Sequence, residues 1–127
     1  MIMTELNLTD FFKGIVDSEE GPIVICDLDY KIIYVNPSAV TYYKSGPQLL
    51  GKHLEVFMNE EMMSMVCMSV EWFKESRNNN RVFAFHDDKA NMDMYVLAIR
   101  NAKKELIGFY GRQESRNPDQ GKLFDLD

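Results

Sequence analysis

Asp27-Leu28-Asp29-Tyr30-Lys31-Ile32-Ile33-Tyr34-Val35-Asn36-Pro37-Ser38-Ala39 holds a turn, a strand and a helix start in one run. Ile23-Val24-Ile25-Cys26, just before it, is apolar and rich in β-branched residues, and residues 31–35 repeat that character. Two such runs separated by Asp27-Leu28-Asp29-Tyr30 predict a β-hairpin. Asn36-Pro37 then switches the chain into helix, because Asn is a favoured N-cap and Pro suits a first helical position that needs no N–H. Ala39, Val40 and Tyr43 form the apolar face of this helix, and Gly46-Pro47 stops it.

Upstream, residues 8–18 place Phe11, Phe12, Ile15 and Val16 at helical spacing, with Thr9 or Asp10 as N-cap, and Gly21-Pro22 breaks the run. Downstream, residues 47–50 predict a short turn closed by Gly51, and residues 54–58 a connector with apolar anchors. The longest helix is expected over 60–77: Asn59 caps it, Glu60 and Glu61 open it, and Lys74 and Arg77 lie near its end, all in keeping with the helix dipole. It carries two apolar stripes, Met62, Val66, Val70 and Phe73 beside Met65, Met68 and Trp72, wider than one packing contact needs. Asn78-Asn79-Asn80 ends it, and strands are predicted over 81–86, 92–100 and 106–113. Helices inserted centrally among strands make an α+β domain with the helices on one sheet face. Residues 1–20 are expected to form an N-terminal helix or cap, 21–115 the domain, and 116–127 a flexible tail ending in Leu123-Phe124-Asp125-Leu126-Asp127.

The run from Asp27 to Ala39 resembles the opening of a PAS domain: a hydrophobic strand, an Asp-x-Asp-Gly-like turn, a second strand, and Asn before a helix. Gly46-Pro47-Gln48-Leu49-Leu50-Gly51-Lys52 is similar to that family's connection ending in Gly-Lys or Gly-Arg, and Glu105-Leu106-Ile107-Gly108-Phe109-Tyr110 to its last strand. The resemblance implies a five-stranded antiparallel sheet in spatial order 2-1-5-4-3, with helices between strands 2 and 3 on one face. It also implies detection of a ligand, cofactor state or partner, a small-molecule place between the long helix and the sheet, and frequent dimerisation. Tyr30 and Lys104 stand where the family often has Gly, so these turns are expected to use other geometry or to borrow Asp29 and Asn101 for the left-handed position.

The composition narrows the function. With 127 residues, 46% apolar and 27% charged, the chain is one globular domain. Its apolar runs are too short to cross a membrane, and the start lacks a signal-peptide pattern, so Asn7-Leu8-Thr9 is not expected to be glycosylated. A net charge of −6 disfavours nucleic acid. Cys26 and Cys67 each sit in apolar runs, as buried reduced thiols do, which points to the cytoplasm. Flavin light sensors of the PAS superfamily carry a reactive Cys after Gly-Arg-Asn. Here Gly51-Lys52-His53-Leu54 puts Leu54 in its place, so a covalent flavin adduct is not expected. Haem-binding members supply a His from the long helix, where this chain has none. Met58, Met62, Met63, Met65 and Met68 read as adaptable core rather than axial ligands. His86-Asp87-Asp88 reads as a solvated turn, since only two histidines exist to converge on a metal. Without an acid–base or nucleophilic set, no enzyme is expected.

Two apolar excesses remain. Residues 92–100 put Tyr95, Leu97 and Ile99 on one face and Met94, Val96 and Ala98 on the other, so both faces need cover. Leu97 and Ile99 are assigned to the inner face, where with Leu54, Phe57, Met62, Val66, Val70 and Phe85 they would line a cavity for an apolar small molecule, Tyr42 or Tyr43 supplying a polar handle. Met94 and Val96 are assigned outward, to a dimer interface with Phe11, Phe12, Ile15 and Val16; the alternative is that the leading helix folds back within one chain. Met65, Met68 and Trp72 would line the cavity, join a dimer contact or pack under the short helices. The expected function is a sensor passing its state to a homodimer or a signalling partner protein. A dimerisation or interaction module with a filled Met-rich core is the alternative.

Overall fold

The protein is described here by a computed structural model over residues 7–121. Helix α1 (Leu8–Ser18) precedes strands β1 (Ile23–Asp27) and β2 (Ile32–Val35). Helix α2 (Pro37–Tyr42) and two 3₁₀ turns, Gly46–Gln48 and Leu54–Val56, lead to the long helix α3 (Glu60–Glu75). Strands β3 (Arg81–Asp87), β4 (Met92–Arg100) and β5 (Leu106–Ser115) complete an antiparallel sheet in the order β2-β1-β5-β4-β3. The expected order is therefore observed, with α2 and α3 inserted between β2 and β3.

Local chemistry accounts for most boundaries. Asn36 caps α2 by accepting from Ala39 N, with Pro37 at the first position. Asn59 caps α3 in the same way, accepting from Met62 N at 2.8 Å. The far end of α3 comes two residues before the expected limit and is closed from the sheet. The Arg100 guanidinium of β4 reaches Phe73 O at 2.7 Å, Ser76 O at 3.1 Å and Asn80 Oδ1 at 2.7 Å, placing a cation on the helix's unpaired carbonyls. For α1 the N-cap is Asn7, not Thr9 or Asp10, and its side chain makes no cap hydrogen bond to the backbone.

The two glycine-poor turns depart from expectation. Tyr30 and Lys104 themselves take the left-handed conformation, with φ of 64° and 69°, rather than borrowing Asp29 and Asn101. Asp27 Oδ1 accepts from the N–H groups of Asp29 and Lys31, and Asn101 Oδ1 from those of Lys103 and Glu105. In each turn the opening carboxylate or amide holds the chain so that the fourth residue must turn left-handed.

The core lies between α3 and the sheet. Val66, Val70 and Phe73 of α3 are fully buried against Val24, Cys26, Val96 and Phe109, with Ala39, Leu49 and Leu54 closing one side. The described part of the tail, residues 116–121, has no helix or strand, and Leu123 to Asp127 lie outside the described residues.

Candidate functional site

The helices and the sheet's inner face enclose a small apolar cavity. It is lined by Val24, Cys26, Phe109 and Gly111 of β1 and β5, Met94 and Val96 of β4, Val66 of α3, and Tyr43, Leu54, Phe57 and Met58 of the connecting segments. The one polar pair at its wall is Gln113 Nε2 donating to Tyr43 Oη at 2.9 Å. Burial pushes the Tyr43 phenol up to about 12, so it stays a neutral hydroxyl. The Cys26 thiol is likewise pushed up to about 12 by burial and is no nucleophile. The enclosed volume is about 20 Å³, room for one water. Gly111 would otherwise leave a hollow here, but the Met94 methyl fills it, 3.3 Å from where a Cβ would stand.

Of the residues expected at such a cavity, Tyr43, Leu54, Phe57 and Val66 line it, and Met62, Val70 and Phe85 pack in the surrounding core. Tyr42 is exposed, its ring edge-on to Tyr43. Leu97 and Ile99 must be corrected: they face away from α3, on the outer side of the sheet. Met94 and Val96, expected outward, are buried inside. The reason is register. Val96 pairs with Gly111, which pairs with Val24, while Leu97 pairs with Tyr110, which pairs with Ile25. A bulge between Phe83 and Phe85 turns Phe85 inward opposite Met94 while Phe83 stays outward against Tyr95. Both faces of β4 are apolar, so its alternation alone could not say which is inner. Val24, Cys26, Met58, Phe109, Gly111 and Gln113 line it as well and were not expected there, although Phe109 beside the polar-tipped Tyr110 was a usable signal.

The outer face has its own groove, formed by Ile23, Ile25, Ile99 and Tyr110 with Ile15 and Val16 of α1. Only the end of α1 is tied down: Val16 O accepts from Asn36 Nδ2 at 3.0 Å, and Asp17, paired within the helix to Lys13 at 2.8 Å, accepts from Tyr34 Oη. Leu8, Phe11, Phe12 and Ile15 therefore stand exposed, the two Phe and Ile15 by 60–61%. Met65, Met68 and Trp72 also face solvent instead of packing under the short helices. Cys67 is half-buried and reduced. His86 is no free turn residue, since its Nδ1 lies 2.8 Å from Asp93 Oδ1. Among the described residues no cluster of three metal-ligating side chains exists, and no helix is long and apolar enough to cross a membrane.

No protein-family model matches the sequence. No curated protein matches it. Solved structures do. The PAS domain of a protein from Colwellia psychrerythraea superimposes with a TM-score of 0.62 at 18% identity, covering 86% of this chain and 97% of that one. The PAS domain of Bordetella pertussis BvgS gives 0.52 at 14% identity, covering 86% and 85%. This chain has the PAS fold. A third PAS-fold match is the histidine kinase ThkA in complex with the response regulator TrrA, with a TM-score of 0.55 at 22% identity, covering 82% of this chain and 31% of that one.

Proposed function

We propose that this PAS domain is a signal-relay module that works through protein contacts made by α1 and the outer sheet face, its interior being a filled core rather than a ligand chamber. The observation that carries this reading is the contrast between the two apolar regions. The interior encloses about 20 Å³, far below the roughly 300 Å³ at which small-molecule pockets begin. Outside, an amphipathic helix held only at its C-terminal end presents Phe11, Phe12 and Ile15 to water beside the Ile25, Leu97 and Ile99 face. Burying each of these side chains in a symmetric pair returns about 1.5–3 kcal/mol, and twofold symmetry doubles the sum against the cost of association. The dimer surface so read keeps Phe11, Phe12, Ile15 and Val16 and exchanges Met94 and Val96 for Leu97 and Ile99. A histidine kinase with this fold is solved with its response regulator, which supports a signalling partner for this domain too.

Sedimentation equilibrium at micromolar concentration tests the proposal. The chain is expected to be dimeric, and Phe11→Glu with Ile15→Glu, both at exposed positions, should yield a folded monomer. A wild-type chain that stays monomeric overturns it.

The apolar lining with a single polar pair, Tyr43 and Gln113, favours one second reading: an apolar small molecule admitted when the flexible Met58 and Met94 side chains give way. Binding to the native state alone would raise the melting temperature. A flat thermal-shift profile across fatty acids, aromatics, flavins and haem disposes of that reading and leaves the first intact.

A further inference from the structure

The outward stripe of α3 is an exposed apolar surface bracketed by acid. Met65, Met68 and Trp72 follow one another at spacings of three and four and are exposed by 36%, 67% and 41%. Val82 of the edge strand β3 lines the same shallow groove. Glu61 lies one turn before Met65 on this line, Glu75 one turn after Trp72, and Glu71 beside them. Lys74, the only cation of the helix, sits beyond Glu71 and pairs with it at 3.3 Å.

We propose that this groove docks a basic amphipathic helix of a partner protein, its apolar anchors against Met65, Met68 and Trp72 and its Lys or Arg residues against Glu61 and Glu75. Helical partners read such grooves with anchors about one turn apart, and methionine side chains reshape to fit them. Charge selects among the possible occupants. A second copy crossing antiparallel would set Glu61 against Glu75 of the other α3, and a parallel crossing would set each Glu against itself, both repulsive in a chain of net charge −6. The chain's own Leu123-Phe124-Asp125-Leu126-Asp127 has apolar anchors but the same sign of charge. An anionic membrane surface is repelled for the same reason. The surface lies on the helical side, opposite the outer sheet face, so a dimer there leaves it open.

Trp72 is the chain's one tryptophan, so its emission reports this groove alone. The full chain is titrated with a designed helical Leu/Lys peptide and with its counterpart bearing Glu for every Lys. The basic peptide should shift Trp72 emission to the blue, saturating at one peptide per chain, and the acidic one should not. Met65→Ser with Met68→Ser keeps every charge and should weaken binding at least about tenfold. Glu61→Lys with Glu75→Lys keeps every apolar anchor and should weaken it too; far-UV circular dichroism checks that both variants fold. Equal shifts from both peptides, no shift, or affinity unchanged in either variant would overturn the proposal. So would a shift produced by protein concentration alone, which means self-association, or one produced by phosphatidylglycerol vesicles and not by the basic peptide.

Discussion

Asn36 is fully buried and uses every hydrogen-bonding position it has. Oδ1 accepts from Ile23 N and Ala39 N at 2.9 Å each, and Nδ2 donates to Val16 O at 3.0 Å and Gly21 O at 3.1 Å. One side chain thus caps α2, starts β1 and holds the end of α1. Asn36→Ala leaves two buried N–H groups without a side-chain acceptor and is expected to cost about 3 kcal/mol, read as a lower urea midpoint with an unchanged slope. Only its N-cap role was legible in the sequence, because Asn-Pro before an apolar helix is a local signal. Val16, Gly21 and Ile23 lie 13 to 20 residues away, and nothing local announces them.

At the scale of elements, α1, α3 and β4 were readable almost to the residue, since period and punctuation agree in each. The turns were not. Asp27 and Asn101 each bind two following N–H groups, and this constraint puts a non-glycine residue left-handed at Tyr30 and Lys104. Tyr30 offsets that strain by packing its ring 5.5 Å from Phe109, centroid to centroid. Lys104 is exposed and has no such compensation. Lys104→Gly should therefore stabilise the β4–β5 hairpin by about 0.5–1 kcal/mol, seen as a higher melting temperature. Tyr30→Gly should destabilise, because the lost ring contact exceeds the backbone gain.

For the whole molecule, the sheet joins the two ends of the chain, β1 pairing with β5 at the centre, and a carboxylate latch secures each end. Asp17 fastens α1 through Tyr34 of β2, with Lys13 of the same helix on the same carboxylate. Asp93 fastens the segment after β5 through Arg116, whose Nε donates to it at 2.8 Å, with His86 on the same carboxylate. Lys13 foremost, then Tyr34, holds the Asp17 carboxyl below its usual range; Arg116 foremost, with His86 adding, does so for Asp93. A carboxyl whose folded pKa is lowered contributes stability that is fully present above its unfolded pKa of about 3.9 and is lost as pH falls through the folded value. Unfolding free energy measured by urea should therefore drop between roughly pH 5 and 3, and Asp17→Asn with Asp93→Asn should flatten that drop. An unchanged acid limb would mean the latches form equally in the unfolded chain.

Periodicity, caps and breakers in the sequence determined which segments are helix or strand, and their order, with the motif resemblance, determined the PAS topology. These are local properties, carried by neighbours a few residues apart. Which face of β4 meets α3 was decided only in the tertiary structure, because a strand apolar on both sides has two equivalent readings until pairing with β5 and a bulge in β3 choose between them. The same holds for the filled interior, which depends on the Met94 side chain lying over Gly111, two residues brought together by register and not by spacing.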